Sequence, residues 1–321
     1  MTNVLIYGAG AIGSFIGYIL ADPMPTKGQK IENVALLGRE SHMRRIEEVG
    51  LQINFPKGKK SAQFKHCFTS LHELGSSDFY PDIVIVCVKT YSLPGVCNDI
   101  KESDMLQRHL KNASFVLLMN GMGNRDVFDQ LNLPSDRVYE GITSFGVKFP
   151  KDGQIELKGM GKTVLEERIN AKEKEFLKAR FEEKSFEIEF APDFKKHQWN
   201  KLIVNSVINP ISALTGKENG IILSDLLKET VKNIVKECVT VAGKDGIKAD
   251  TESVLEVVYS VAKKTSQNTC SMLQDVKKEK MTEIDSINGY VIRLAKKHKI
   301  DVPVNETLYG LVKSIRGCTL K

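Results

Sequence analysis

The sequence contains no C-x-x-C pair, no H-x-x-H or H-E-x-x-H cluster and no apolar run of membrane-spanning length. Its six cysteines (Cys67, Cys87, Cys97, Cys238, Cys270, Cys318) therefore argue against a structural zinc site or a disulfide framework and read as small buried hydrophobes. No metal is expected. A basic stripe is also missing: Lys plus Arg number 46 and Asp plus Glu 40, leaving +6, and the signs alternate along most of the chain. Nucleic acid is not the expected partner. Met1 to Ala21 has neither a basic leader with a cleavage site nor about 20 consecutive apolar residues, so neither secretion nor a membrane is signalled and a cytoplasmic protein is expected. No repeat of fixed period and no low-complexity tract occurs.

What is present is a chain of 321 residues with 41% hydrophobic content, enough for a large core and, at about 150 residues per domain, for two domains. Val4 to Tyr7 reads as a strand, Gly8 as a tight turn and Phe15 to Ala21 as a helix. Asn33 to Arg39 reads as a second strand, after a Pro-, Lys- and Gly-rich stretch from Asp22 to Asn33 that reads as a surface insertion. Asp82 to Val88 and Ser114 to Met119 are near-continuous β-branched runs, as in strands covered on both faces, with room between them for crossover helices. From Glu140 to Ala191 shorter segments (GITSFGVKF, GQIELKG, KTVLEE, FEIEFA) read as strands finishing the same sheet, with a helix near Lys172 to Glu182. Beyond Pro192 helical spacing takes over; Ile284, Ile287, Val291, Leu294 and Ala295 follow one buried helix face. The expected fold is α/β: an N-terminal Rossmann-type doubly wound sheet over residues 1–192 and an all-helical C-terminal domain over residues 193–321.

Gly8-Ala9-Gly10-Ala11-Ile12-Gly13 is G-x-G-x-x-G between a strand and a helix, where the glycines permit a tight turn, close approach of a pyrophosphate and helix-strand packing. Alone the motif is weak, since glycine-rich turns are common; its context makes dinucleotide binding the favoured reading. The second strand ends Leu37-Gly38-Arg39-Glu40-Ser41. Arg39 suits a ribose 2′-phosphate, with Ser41 assisting, which favours NADP(H); the alternative is a solvated Arg39 with Glu40 on the ribose of NAD. Lys89 and Asn120-Gly121-Met122-Gly123 follow two further strands, where open α/β sheets bind ligands, although alone they would be a snorkelling lysine and a turn.

Around the only tryptophan, Trp199, the spacing of Lys201, Asn205 and Asn209 is i, i+4, i+8, one polar stripe on an otherwise apolar helix. Such a row needs hydrogen-bonding partners, which a pocket supplies; backbone or water is the bland reading. Pro210 has no N–H for the carbonyl of Ser206 and is expected to bend the segment. Desolvation would bring Lys201 toward neutrality, making it a candidate general acid for the oxyanion formed when hydride reaches a ketone.

These motifs, with Ser271-Met272-Leu273-Gln274-Asp275, Thr282-Glu283-Ile284-Asp285 and Ile287-Asn288-Gly289, together resemble the ketopantoate reductase family through nearly the whole chain. The resemblance implies an NADP-binding Rossmann domain and a helical substrate and catalytic domain. It also implies NADPH-dependent reduction of 2-dehydropantoate to (R)-pantoate, on the route to pantothenate and coenzyme A. By residue it implies Lys201 as the catalytic lysine and Glu283 as the active-site glutamate beside the cofactor. Asn205, Asn209 and Asn219 hold the substrate, with Ser271 at its carboxylate, and Asn120 lies between substrate and cofactor. Arg39, Lys89 and the backbone near Val147 contact NADPH. Apart from the resemblance, Glu283 reads as sharing a helix with Ile284 and Ile287 at the border of the apolar face, where a glutamate is less expected than on a solvent face.

Two departures accompany the resemblance: the Pro/Lys insertion, and bulky residues from Phe145 to Phe149 that are expected to reshape the substrate mouth. The competing readings are a reductase of another branched 2-oxo acid, a hydroxy-acid dehydrogenase working oxidatively, and a non-catalytic NADP(H)-binding sensor presenting its surface to a protein partner. The sensor has no chemical reason to keep Lys201 with Glu283. A small-molecule 2-oxo acid is the expected partner, bound by a monomer or a homodimer.

Overall fold

The computed structural model describes residues 2–22 and 30–317. It divides into two compact units, Met1–Met119 with Arg125–Phe194, and Asn120–Asn124 with Lys195–Lys321. The division is not a single cut, because the five residues Asn120–Asn124, which interrupt the first unit, belong to the second.

Among its described residues the first unit has twelve strands: β1 (Val4–Tyr7), β2 (Ile31–Leu37), β3 (Leu51–Phe55), β4 (Gly58–Ala62), β5 (Phe64–Phe68), β6 (Ile83–Val86), β7 (Ser114–Leu118), β8 (Val138–Thr143), β9 (Gly146–Lys151), β10 (Gln154–Gly159), β11 (Lys162–Glu166) and β12 (Glu187–Ala191). The main sheet runs β12-β11-β8-β7-β6-β1-β2-β5. From β5 to β8 all pairs are parallel, and the order reverses between β1 and β6, the switch point of a doubly wound sheet. Burial explains the near-continuous apolar strands: every residue of β1, β6 and β7 is buried. β11 then joins β8 antiparallel, with β12 parallel beside it.

Two features of this unit differ from what the sequence pattern predicts. β9 and β10 do not finish the main sheet; they form a second sheet, ordered β4-β3-β10-β9. The hairpin β3-β4 that recruits them has buried Leu51 and Ile53 on one strand but reads Gly-Lys-Lys-Ser on the other, exposed until Ala62, so no alternating pattern announces it. The polar stretch from Asp22 to Asn33 is not all insertion either, since Ile31 to Asn33 already lie in β2. Asn33 is buried, accepting from the Asp22 N–H at 2.9 Å and donating to the Leu20 carbonyl at 3.2 Å. Residues 23–29 of that stretch, and Cys318, lie outside the described residues.

The second unit has no strand among its described residues and is built on the α-helices Phe194–Thr215, Lys228–Lys244, Thr251–Lys264, Ser271–Lys277, Asn288–Lys297 and Pro303–Gly317. Trp199, Val207, Ile234, Val258 and Val291 are fully buried in its core. The expected helix through Ile284 is not continuous: Ile284–Ser286 is a 3-10 turn, Ile287 leaves helical backbone at φ −102° and ψ −98°, and the α-helix starts at Asn288. Ile284, Ile287, Val291 and Ala295 are buried all the same. No described helix is long and apolar enough to cross a membrane.

Candidate active site

In the first unit the glycine turn follows β1 at the switch point. Gly8 has φ +102°, and a Cβ there would stand 2.7 Å from Val88 Cγ1 and 2.8 Å from Val88 N, so glycine is required where the end of β1 meets the end of β6. At Gly13 a Cβ would lie 2.2 Å from the Gly8 carbonyl oxygen, which is how the helix Ala11–Leu20 seats against the turn. Gly10 is different: nothing lies within 4 Å of its added Cβ, leaving open space over the backbone. Gly10 caps that helix, and no side chain of the cap accepts from its first N–H groups, which stand at the positive end of the helix dipole. A pyrophosphate fits this arrangement. Lys89, half-buried, follows Val88 beside the turn.

Arg39 is the N-cap of the helix Glu40–Val49, exposed, with its guanidinium carbon 5.3 Å from the centroid of Phe149 in β9. Glu40, the alternative ribose ligand, has its carboxylate on Arg44, with Nε donating at 2.8 Å. The same helix carries His42, which is 1% exposed. Gly153 N–H donates to its Nδ1 at 2.8 Å, so the ring proton is on Nε2, which donates to Ser14 Oγ at 3.1 Å; Ser14 in turn donates to the Ala9 carbonyl at 3.2 Å. Burial pushes the His42 pKa down to about 4. A neutral histidine thus ties the glycine turn, the Arg39 helix and the β9-β10 turn together. A lone histidine carries no sequence signal for this role, and the bulk of Phe149 signals a ring but not its two charged or polar neighbours, Arg39 and His42. Phe145 does not reshape a mouth; it is buried against Phe15 and Phe186, ring centroids 5.3 and 5.5 Å away. Val147, in β9, packs half-buried against the same core.

In the second unit three distant segments meet. Lys201 Nζ donates to Asn120 Oδ1 at 3.0 Å, and Asn120 Nδ2 donates to Glu283 Oε2 at 3.1 Å. A cation at its oxygen and an anion at its nitrogen fix which way the amide faces. Glu283 is 4% exposed. Burial lowers the Lys201 pKa to about 8, against an opposing pull from the Glu283 carboxylate. Asn120 reaches this position because Gly121, at φ +72°, packs so closely on the 3-10 turn that a Cβ would be 2.3 Å from the Ser286 carbonyl oxygen. Met122 N–H donates to that oxygen at 2.9 Å. Glu283 stands just before the turn rather than within a helix, its carbonyl accepting from Ser286 N and Oγ.

The polar row itself lies on Phe194–Thr215, which continues through Pro210. Asn205 is half-buried and Asn209 is buried. The Asn209 carbonyl accepts from Cys270 Sγ at 3.8 Å, which ties the start of the Ser271–Lys277 helix to the row; Ser271 is exposed beside it. Asn219 is buried, with Nδ2 donating to Thr265 Oγ1 at 3.0 Å and Oδ1 lacking a partner. Trp199 anchors the helix, its Nε1–H donating to Asp245 at 2.8 Å.

A doubly wound sheet with an open glycine turn and a half-buried lysine whose pKa is lowered to about 8 define a nicotinamide-dependent oxidoreductase. The sequence profile described as "Ketopantoate reductase PanE/ApbA" matches residues 4–170, and its C-terminal counterpart matches residues 193–316. The chain belongs to the ketopantoate reductase family. It is 32% identical to the 2-dehydropantoate 2-reductase of Pyrococcus horikoshii over 97% of both chains, and 31% identical to that of Halobacterium salinarum over 97% and 98%. Among solved structures it resembles a PanE/ApbA family ketopantoate reductase from Ralstonia eutropha, with a TM-score of 0.83 and 25% identity over 98% of this chain and 99% of that one. It also resembles a D-mandelate dehydrogenase solved with NADH and anilino(oxo)acetate, with a TM-score of 0.84, 25% identity and the same coverage.

Proposed function

We propose that the protein reduces 2-dehydropantoate to (R)-pantoate with NADPH, in the cytoplasm, as a monomer or a homodimer acting on a small molecule. The observation that carries this reading is the Lys201–Asn120–Glu283 chain of hydrogen bonds in a protein with a dinucleotide turn. The residues of Gly8 to Gly13 receive the pyrophosphate on backbone N–H groups, and Arg39 and Lys89 meet the remaining phosphate charge. When bound, the nicotinamide supplies a hydride. Lys201 holds the proton at Nζ and gives it to the keto oxygen as charge develops there, which its pKa of about 8 permits near neutral pH. Asn120 aims that ammonium and relays the Glu283 charge. Asn205, Asn209 and Asn219 bind the substrate, Ser271 its carboxylate, and Val147 and Glu283 border the nicotinamide.

A second reading, reduction or oxidation of another 2-oxo or 2-hydroxy acid, is favoured only by the likeness to D-mandelate dehydrogenase. Absorbance at the nicotinamide band decides between them, using NADPH or NADH with 2-dehydropantoate, an aryl 2-oxo acid or a branched 2-oxo acid. Rapid NADPH loss with 2-dehydropantoate is the expected result. NADPH binding without turnover of any acid would leave the sensor reading.

A further inference from the structure

The helix that carries Lys201 contains a proline, and its consequence is met by an asparagine from another segment. Pro210 has no N–H, so the carbonyl of Ser206 loses its usual helical donor. Ser206 is fully buried, where an unmet carbonyl is costly. Asn288 Nδ2, also fully buried, donates to that carbonyl at 3.1 Å. The same nitrogen donates to Asn305 Oδ1 at 2.9 Å. Asn305 is in turn held by Glu237, whose Oε2 accepts from Asn305 N–H at 3.0 Å and from Nδ2 at 2.7 Å. Asn288 is therefore held from behind and presents one N–H in a fixed direction.

Its place in the chain gives this bond a further meaning. Asn288 opens the helix directly after the Ile284–Ser286 turn, two residues past that turn, and Glu283 immediately precedes the turn. Ser206 sits between Asn205 and Val207 on the Lys201 helix. We propose that Asn288 is a positioning residue for the reduction: by filling the carbonyl that Pro210 leaves empty, it fixes the Lys201 helix against the segment that carries Glu283. This rests on the reductase reading above. The bond holds together the two charged ends of the Asn120 bridge without touching either.

Two substitutions separate positioning from mere satisfaction of a buried carbonyl. Asn288→Ala removes both the donor and the tie; Pro210→Ala supplies Ser206 with an N–H from its own helix but no tie. For Asn288→Ala we expect a lower melting temperature, kcat reduced about tenfold or more, as small misplacements near chemistry cause, and an unchanged Kd for NADPH. The alkaline limb of the kcat profile should also move to lower pH, because Lys201 is less well paired with the carboxylate that raises its pKa. Pro210→Ala alone should stay within about twofold of the parent kcat. The double variant should regain the part of the melting temperature that the Ser206 carbonyl cost, the Asn305 bond staying lost, while kcat and the pH limb stay displaced. If kcat recovers with the melting temperature, or never falls, Asn288 is structural and the proposal is overturned. If Asn288→Ala does not fold, the double variant compared with Pro210→Ala carries the same kcat test. A parent protein that turns over no 2-oxo acid overturns the reductase reading and the positioning role with it. The melting temperatures would still report whether Asn288 fills the carbonyl.

Discussion

The two units build their sites from opposite materials. The glycine turn of the first unit presents backbone: an open patch over Gly10, helix N–H groups and a histidine locked neutral behind them. The cluster in the second unit is made of side chains, a lysine and a glutamate bridged by one amide and drawn from residues 120, 201 and 283. Each material suits its task. A phosphate group keeps its charge, so fixed dipoles can meet it at every working pH. A ketone becoming an alcohol needs a proton delivered, so that end needs a group that titrates near neutrality.

The largest effect should come from breaking the side-chain half. Lys201→Ala is expected to lower kcat about 10²- to 10⁴-fold, the usual worth of a positioned general acid, while the Kd for NADPH measured by fluorescence stays unchanged. The pH profile sharpens the same point. With Lys201 at about pKa 8, kcat should be level below that pH and fall as the ammonium loses its proton above it. Glu283→Gln removes a charge that raises this pKa, so the falling limb should move to lower pH. A kcat that survives Lys201→Ala would assign the proton to another group.

The backbone half has its own acid limit, set by His42. Its pKa is lowered from 6.5 to about 4 in the fold, so between those values the unfolded chain binds a proton that the folded chain does not. Unfolding free energy should therefore fall as pH drops through this window, by up to about 3 kcal/mol at one pKa unit per 1.4 kcal/mol. Denaturant titrations at pH 7 and pH 4.5 measure it, with His42→Gln as the control. If the variant keeps the whole pH dependence, His42 is not its source.

Much of this contrast is legible in the sequence, and unevenly so. The glycine turn announces itself because each glycine answers a local steric demand, and the i, i+4, i+8 row of Lys201, Asn205 and Asn209 announces itself through helical period. The strands of the main sheet are legible for the same reason, being apolar on both faces. What stays hidden depends on pairing across distance. The second sheet needs a hairpin whose outer strand is Gly-Lys-Lys-Ser, with no buried alternation until Ala62. His42 meets Gly153 across 111 positions, and Asn288 meets Ser206 across 82. The helix expected from Ile284 fails for a related reason: the apolar spacing is real, but the backbone turns at Ile287 to bring Glu283 under Asn120.

Cofactor preference tests whether the backbone half needs a charged partner after all. Arg39→Ala should weaken NADPH by about ten- to a hundredfold, the range of a hydrogen bond to a charged group at about 1.5–3 kcal/mol. NADH, with no 2′-phosphate, should bind as before. Equal weakening of both cofactors would instead point to Arg39 acting as the cap of its helix.

The smallest effect concerns how Arg39 is aimed. Its guanidinium lies over Phe149, and that ring also meets His42, with centroids 4.7 Å apart. Phe149→Leu keeps apolar bulk against His42 and removes the ring face that attracts the cation. An exposed cation–π contact is worth about 0.5–1 kcal/mol, so the Kd for NADPH should rise only about two- to fivefold, with NADH unchanged. If NADPH and NADH weaken alike, Phe149 serves the His42 link and thus the glycine turn that both cofactors share. The loss would then belong to the backbone half, and Arg39 would keep its aim without the ring.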